Sequence, residues 1–209
     1  MADFSLERSG AGDGRRIMAG VDEVGRGALC GPVVAAAVVF PLALILAEPP
    51  DWLARTDDSK RLSPKARSIL VRRIVAAAAV GIGVSPSGEV DRLNVFHASH
   101  AAMRRAVAAL PIRPDLVLVD GVPLREAGFP QRAVPQGDRI STSIAAASIV
   151  AKVLRDALLV FCGRLYSGYG LARHKGYGTA DHYRALDLLG PTPFHRRSFT
   201  LQSERTLFE

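Results

Sequence analysis

The sequence has little cysteine, few aromatic residues and no hydrophobic run long enough to cross a membrane. Cys30 and Cys162 are its only cysteines, which excludes a disulfide framework or a thiolate zinc site and leaves two buried thiols as the expectation. The apolar segment 33–47 is interrupted by Pro41 and is shorter than the roughly 20 residues of a membrane helix. The first 16 residues lack the apolar core of an export signal. We therefore expect a cytoplasmic protein.

Acidic residues are outnumbered by basic ones, although neither kind is scarce. The 209 residues include 27 Lys or Arg and 20 Asp or Glu, which gives a formal net charge of +7 and a pI near 10.0. From residue 152 to residue 197 there are eight Lys or Arg but three Asp or Glu. A chain of this length favours one domain. The excess of positive charge favours an anionic partner, and nucleic acid fits best.

The hydrophobic pattern alternates between the periods of strands and helices. Apolar runs at 17–21 and 33–40, separated by glycines, predict a hairpin. Ser63 followed by proline predicts the start of a helix, because proline suits the first helical position. The other predicted elements are strands at 80–84 and 116–119 and helices at 64–79, 94–110, 141–162 and 180–189. This order predicts an α/β fold, a mixed sheet flanked by helices with a small helical C-terminal extension.

Acidic residues stand where predicted core segments give way to loops. Asp22 and Glu23 follow the first strand, Asp120 ends the strand 116–119, and Asp138 precedes the long helix. Functional sites often form beyond strand ends, and clustered carboxylates repel one another unless cations lie between them. Oxygen ligands favour Mg²⁺ or Mn²⁺ over zinc, and two such ions about 4 Å apart can align a phosphodiester for hydrolysis. The alternative is that these acids are solvated turn residues.

The two adjacent acids pose a geometric problem. Neighbouring side chains on a strand point to opposite faces, so Asp22 and Glu23 can share a pocket only if the strand bends or ends beside them. Gly25 and Gly27 follow at once and allow such a bend. Because glycine has no Cβ, this backbone could also approach a ribose closely, although the glycines could equally do no more than form a turn.

Four stretches extend this interpretation when they are taken together. They are GVDEVGRG at 20–27, DSKRLS at 58–63, SIAAASIVAK at 143–152 and HKGYG at 174–178. In this order they closely resemble ribonuclease HII, the type 2 ribonuclease H of bacteria, from about residue 18 to residue 199. The resemblance implies a ribonuclease H-like fold. We expect a flexible tail at 1–14, a catalytic domain at 15–172 and a basic helical region at 173–209 packed on that domain.

The resemblance also implies which residues form the site. Asp22, Glu23, Asp120 and Asp138 would be the catalytic acids and the metal ligands. Asp156 would lie just behind them, or would only pair with Lys152 one helical turn away. The substrate-binding residues implied are Gly25, Arg26, Gly27, Lys60, Lys175 and Tyr177. Among them, Gly25-Arg26-Gly27 and Tyr177 would read the junction between a ribonucleotide and the following deoxyribonucleotide, and Lys60 would touch the backbone near the cut.

The activity implied by the resemblance is that of a monomeric endoribonuclease that uses Mg²⁺ or Mn²⁺. It would cleave RNA in RNA–DNA hybrids, and it would cut 5′ of single ribonucleotides embedded in duplex DNA, by two-metal hydrolysis. The products would carry 3′-hydroxyl and 5′-phosphate ends, and the reaction would serve ribonucleotide removal from DNA. The alternatives are a non-catalytic nucleic-acid-binding protein and a two-metal nuclease of the same fold with another substrate.

The basic C-terminal region is expected to contact phosphate groups without reading bases. The side chains expected to do so are Arg173, Lys175, Arg196 and Arg197, together with His174, His182 and His195. His97 and His100 lie one helical turn apart and could bind zinc in principle. No thiol or carboxylate partner accompanies them, so we expect them to be packing or surface residues.

Overall fold

The computed structural model describes residues 2–53, 56 and 62–202. Its strands are β1 Met18–Val24, β2 Val33–Val39, β3 Ala79–Ser85, β4 Leu116–Asp120 and β5 Gln131–Val134. They form one sheet in the order β3-β2-β1-β4-β5. The β1–β2 and β2–β3 pairs are antiparallel, whereas β1–β4 and β4–β5 are parallel. The predicted hairpin and the predicted mixed sheet are both confirmed.

Helices cover both faces of this sheet. They are α1 Ser5–Gly12, α2 Leu42–Leu46, α3 Pro64–Ala77, α4 Ser87–Leu93, α5 Val95–Ala108, α6 Thr142–Leu165, α7 Leu171–His174 and α8 Ala180–Leu189, with a 3₁₀ turn at Gly137–Arg139. Side-chain caps begin the predicted helices: Ser63 caps α3, Ser141 caps α6 and Thr179 caps α8. Each cap accepts a hydrogen bond from a backbone N–H that has no partner within its helix. Within the described ranges, no helix is both long and apolar enough to span a membrane.

Residues of β1 alternate between two apolar layers. Met18 belongs to the layer that contains the buried residues of α6, whereas Ala19 and Val21 belong to the layer that contains those of α5. Gly20 faces α6, where an added Cβ would lie 2.3 Å from the backbone nitrogen of Ile144. The absence of a side chain at Gly20 therefore lets α6 pack directly against the strand that carries Asp22 and Glu23.

The segment expected to be a flexible tail contains α1. Glu7 on this helix is fully buried, and its Oε1 accepts hydrogen bonds from the Ser141 hydroxyl at 2.7 Å and the Ser143 N–H at 2.9 Å. A carboxylate at this place stabilises the N-terminus of α6, where backbone N–H groups are unpaired. The backbone N–H of Asp3 also donates to the Ile140 carbonyl. Long-range contacts therefore hold the N-terminal segment against the start of α6.

Candidate active site

The carboxyl ends of β1 and β4 open into a cleft of about 350 Å³. Its walls are formed by Asp22, Glu23, Val24, Gly25, Arg26, Gly27, Asp120, Asp138, Ser148 and Tyr177. The pairing of β1 with β4 ends at Val21, so the two strands separate beyond this point. Asp22 lies on the α6 side of β1 and Glu23 on the opposite side, yet both reach the gap where the pairing has stopped. Gly25, with φ of +96°, then turns the chain away, as its sequence position predicted.

Burial and mutual repulsion act on the two adjacent carboxyl groups. Asp22 is only 5% exposed, and this burial raises the pKa of its carboxyl well above the ordinary value, with a further rise from the charges of Glu23 and Asp120. The Ser148 hydroxyl opposes that rise by hydrogen bonding to Asp22. Burial also raises the pKa of Glu23, although Arg26 counteracts it through an ion pair of 3.1 Å between Arg26 Nη1 and Glu23 Oε1. The cleft thus concentrates negative charge that a cation would stabilise.

Asp120 and Asp138 are brought together by a hydrogen bond. Asp120 ends β4, and its Oδ1 accepts the backbone N–H of Gly137 at 2.7 Å. Gly137 begins the 3₁₀ turn that contains Asp138. Because β4 is parallel to β1, Asp120 emerges at the same edge of the sheet as the two acids of β1. The expected convergence of the four acids on one cleft is therefore present in the fold, and their role as metal ligands stays a prediction.

The donor chemistry of the cleft fits a hard divalent cation. Its polar side chains are the four carboxylates, the Ser148 hydroxyl, the Tyr177 phenol and the Arg26 guanidinium, and the oxygen donors among them suit Mg²⁺ or Mn²⁺. Among residues 2–53, 56 and 62–202, no group of three or more His, Cys, Asp or Glu side chains is arranged so that it could hold a metal ion without rearrangement. The acids share one cleft, with Glu23 paired to Arg26 and Asp120 bonded to Gly137, so cation binding would compete with these contacts.

Three predicted residues lie outside the cleft walls or outside the described chain. Asp156 on α6 bonds Lys152 Nζ at 2.8 Å and lies 3.7 Å from Arg67 Nη2. This arrangement matches the alternative that Asp156 pairs with Lys152, whose ammonium group lies 5.7 Å from the centre of the Tyr177 ring. The Lys175 ammonium group donates to the Ala172 carbonyl rather than lining the cleft. Lys60 lies outside the described residues.

Some of the predicted phosphate contacts are wrong, because the side chains concerned are buried. Arg196 is fully buried, and its guanidinium donates to the main-chain carbonyls of Arg26 and Gly31. Burial lowers the pKa of Arg196 to about 10, so this side chain is still charged at neutral pH. His182 and His195 are buried as well, and a buried ring cannot meet a phosphate on the surface. Arg197 is exposed and remains available for such a contact.

The buried histidines instead support Tyr177. Thr192 N–H donates to His195 Nδ1 at 2.9 Å, which leaves the proton of a neutral His195 ring on Nε2. That nitrogen lies 3.0 Å from His182 Nε2 and donates to it. His182 Nδ1 then donates to the Tyr177 carbonyl at 3.0 Å. Two neutral imidazole rings therefore tie the backbone of Tyr177 to the C-terminal segment, and desolvation lowers the pKa of both rings.

A hydroxyl residue and two buried arginines near the site were not predicted from the sequence. Ser148 is the first polar residue after three alanines in α6, and this isolated hydroxyl in an apolar stretch was the signal that could have identified it. Arg155 lies beneath the cleft, with its Cζ 5.4 Å from the centre of the Tyr177 ring. Nothing in the sequence separates Arg155 and Arg196 from the solvated arginines of the same basic region, because their burial depends on distant segments.

Comparisons with known proteins agree with the fold. A family model described as Ribonuclease HII matches residues 19–202. A curated Ribonuclease HII from Rhodospirillum rubrum is 50% identical over 201 residues, an alignment that covers 95% of this chain and 89% of the relative. The crystal structure of the ribonuclease H2 from Pyrococcus horikoshii superposes with a TM-score of 0.73 at 25% identity, and the match covers 88% of this chain and 94% of that chain. The crystal structure of Bst-RNase HIII in complex with Mn²⁺ matches with a TM-score of 0.61 at 20% identity, over 89% of this chain and 68% of that chain.

The family model alone spans residues 19–202, a range that includes every residue that lines the acidic cleft. The resemblance inferred from the four sequence stretches is confirmed, and so is the expected ribonuclease H-like fold. On these grounds the chain belongs to the ribonuclease HII family, which consists of metal-dependent ribonucleases H that hydrolyse phosphodiester bonds.

Proposed function

We propose that this protein cleaves RNA in RNA–DNA hybrids and also cuts 5′ of single ribonucleotides embedded in duplex DNA. The products would carry 3′-hydroxyl and 5′-phosphate ends. The enzyme would act as a monomer in the cytoplasm, where the reaction would serve to remove ribonucleotides from DNA. The observation that carries this proposal is the shared cleft, in which four carboxylates face the Gly25–Gly27 backbone and the Tyr177 ring. Hydrolytic groups and groups suited to sugar recognition thus line one space.

The acids would hold Mg²⁺ or Mn²⁺ through Asp22, Glu23, Asp120 and Asp138. When bound, a pair of such ions neutralises phosphate charge and activates water for an in-line displacement. The chain itself contributes the positions of the acids, which are set by the end of β1, the end of β4 and the 3₁₀ turn. Ser148 orients the Asp22 carboxylate from α6. Partial burial of the acids keeps bulk water from screening the charges that meet the phosphate.

Recognition of the ribonucleotide would depend on the opposite wall. The space beside Gly27 is open, since no heavy atom of the described residues other than its two chain neighbours would lie within 4 Å of an added Cβ. A ribose 2′-hydroxyl can therefore approach this backbone and exchange hydrogen bonds with it, which deoxyribose cannot do. The Tyr177 ring would stack against the next sugar, where a second 2′-hydroxyl would crowd it. This pair of contacts favours a single ribonucleotide followed by DNA.

A cleavage assay on three duplexes of equal length tests the proposal. The test strand would be all DNA, DNA with one ribonucleotide, or all RNA. Each test strand would be paired with a DNA strand and incubated with Mg²⁺, with Mn²⁺ or with chelator. We expect cleavage of the two ribonucleotide-containing duplexes in either metal and none in chelator. Binding without cleavage would leave only a nucleic-acid-binding protein. Cleavage of the all-DNA duplex would favour a nuclease of the same fold with another substrate.

Neutral substitutions test the assignment of the acids. Asp22→Asn, Glu23→Gln, Asp120→Asn and Asp138→Asn should each nearly abolish cleavage while duplex binding is retained, because each removes charge but little volume. Asp156→Asn should lose less activity, since its carboxylate bonds Lys152 and lies outside the cleft walls. The opposite ranking of Asp138 and Asp156 would assign the fourth ligand to Asp156.

A further inference from the structure

Two buried arginines lie behind the walls of the cleft. Arg155 and Arg196 are both 0% exposed, and within the part of the chain that the structure describes neither forms an ion pair with a carboxylate. Removing a guanidinium from water is costly unless its N–H groups are all well paired. A fold that keeps two such groups side by side retains them for a geometry that apolar side chains could not provide.

Arg155 joins two loops that approach the cleft from different parts of the chain. Its Nε donates to the Pro32 carbonyl at 2.9 Å, its Nη2 to the Cys30 carbonyl at 3.0 Å and its Nη1 to the Lys175 carbonyl at 3.0 Å. The first two carbonyls belong to the loop that follows the Gly25–Gly27 turn, and the third lies two residues before Tyr177. One planar group therefore fixes the loop after β1 relative to the tyrosine loop.

Arg196 holds the same loop from the C-terminal segment. Its Nη1 donates to the Arg26 carbonyl at 2.8 Å, which is the centre of the Gly-Arg-Gly turn. Its Nε and Nη2 both donate to the Gly31 carbonyl, at 3.0 and 2.8 Å. The two ends of the loop from residue 26 to residue 31 are thus bridged by a single side chain.

The packing of Arg155 against the loop also explains why position 25 holds a glycine. An added Cβ at Gly25 would lie 2.2 Å from Arg155 Nε and 2.7 Å from Arg155 Cδ. Arg155 also packs against the other wall, with its Cζ 5.4 Å from the centre of the Tyr177 ring. The backbone of the Gly-Arg-Gly turn and the tyrosine ring therefore rest on the same guanidinium.

We propose that Arg155 and Arg196 are positioning residues that set the separation between the Gly25–Gly27 backbone and the Tyr177 ring, and thereby determine the preference for a single ribonucleotide. The inference rests on the proposed function, because it concerns how that site selects its substrate. Neither guanidinium touches the substrate. Both act through the carbonyls and the ring that they hold in place.

The primary test is Arg155→Lys, which keeps the charge but cannot bridge three carbonyls on two loops. The readout is the ratio of kcat/KM on a single-ribonucleotide duplex to kcat/KM on a continuous RNA–DNA hybrid. A hybrid offers many cleavage positions and needs no deoxyribose beside Tyr177, so the loss should fall mainly on the single-ribonucleotide duplex. We expect the ratio to fall by about tenfold or more, as for other small misplacements of reacting groups.

Arg8→Lys is the matched control. Arg8 also bridges carbonyls of another segment, with its Nε donating to Ile45 at 2.8 Å and its Nη2 to Ala47 at 2.9 Å, but it lies outside the cleft walls. This variant should keep the parental ratio. Gly25→Ala provides a second route to the same disturbance, and the double variant Gly25→Ala/Arg155→Lys should lose little more than either single change, because both displace one guanidinium.

A binding measurement separates this inference from the proposed function. In an Asp120→Asn background, the ratio of Kd for an all-DNA duplex to Kd for the same duplex with one ribonucleotide reports sugar selectivity without cleavage. Arg155→Lys should reduce this ratio towards one even if the parent protein cut neither duplex, which would refute the proposed function alone. Equal losses on both substrates, an unchanged ratio, or a loss that follows only the folded fraction by circular dichroism would overturn the positioning role.

Discussion

His195 provides a quantitative prediction about pH, because its buried ring is neutral in the folded protein. The side chain is 2% exposed, and desolvation, with a further contribution from the neighbouring His182, lowers its pKa from 6.5 to about 4. The unfolded chain therefore binds a proton below about pH 6.5 that the folded chain does not bind until about pH 4. Stability is fully present above pH 6.5 and is lost as the pH falls towards 4.

The size of this loss follows from the two pKa values. At about 1.4 kcal/mol per pH unit, the interval between 6.5 and about 4 corresponds to about 3 kcal/mol, of which about 2 kcal/mol should already be lost at pH 5. For a domain with a typical stability of about 5–15 kcal/mol, this change is readily measured. Protonation would place a proton on Nδ1 of His195 and so break the hydrogen bond that this nitrogen accepts from the Thr192 N–H, which weakens the hold of the two rings on the Tyr177 carbonyl.

The assay is urea unfolding at pH 7.5, 6 and 5 for the parent protein and for His195→Asn. Asparagine offers an acceptor near the position of Nδ1 and can keep the bond from Thr192, but it does not titrate in this range. We expect the variant to be less stable at pH 7.5 and to lose about 2 kcal/mol less than the parent between pH 7.5 and pH 5. His97→Asn, at an exposed position on α5, should keep the parental dependence. An identical pH dependence in His195→Asn and the parent would refute the reasoning.

Three further predictions concern the cleft and its surroundings. Tyr177→Ala should cut a single-ribonucleotide duplex about 5- to 150-fold more slowly in single-turnover kinetics, the range expected for a lost stacking contact, whereas Tyr177→Phe should keep most of the rate. Arg197→Ala should reduce the magnitude of the slope of log K against log salt by about one in equilibrium binding, because an exposed phosphate contact is lost. Asp22→Asn should raise the urea midpoint in chelator, because burial and the charges of Glu23 and Asp120 disfavour the ionised Asp22 carboxylate.

Much of the fold was predictable because local signals agreed with the tertiary structure. The Ser63 and Thr179 caps, the apolar strand runs and the alanine-rich α6 are each specified by residues close in sequence. The helix α1 was not predictable in this way. Its buried Glu7 bonds Ser141, which is 134 positions away, so its stabilising contacts have no local signal. The edge strand β5, only Gln131–Val134 long with Val134 as its one buried residue, lacks the apolar alternation that would reveal a strand.

The acidic cleft could be predicted in part for a similar reason. Acids that follow core strands indicate a site at one edge of the sheet, and this places Asp120 close to the acids of β1. How Asp22 and Glu23 share the cleft could not be predicted, since it depends on where the β1–β4 pairing stops, at Val21. The buried Arg196 was misjudged because a basic side chain in a basic region is usually solvated, and only the loop carbonyls around it reverse that expectation.

The central claim is that the acidic cleft hydrolyses the phosphodiester on the 5′ side of a ribonucleotide. It is tested most directly by single-turnover cleavage of a duplex with one ribonucleotide in saturating Mg²⁺, with Asp120→Asn beside the parent and the product ends identified by mass spectrometry. We predict that the parent gives only 3′-hydroxyl and 5′-phosphate ends at that position and that Asp120→Asn binds the duplex but leaves it intact. A 2′,3′-cyclic phosphate product, or parental cleavage by Asp120→Asn, would contradict the claim.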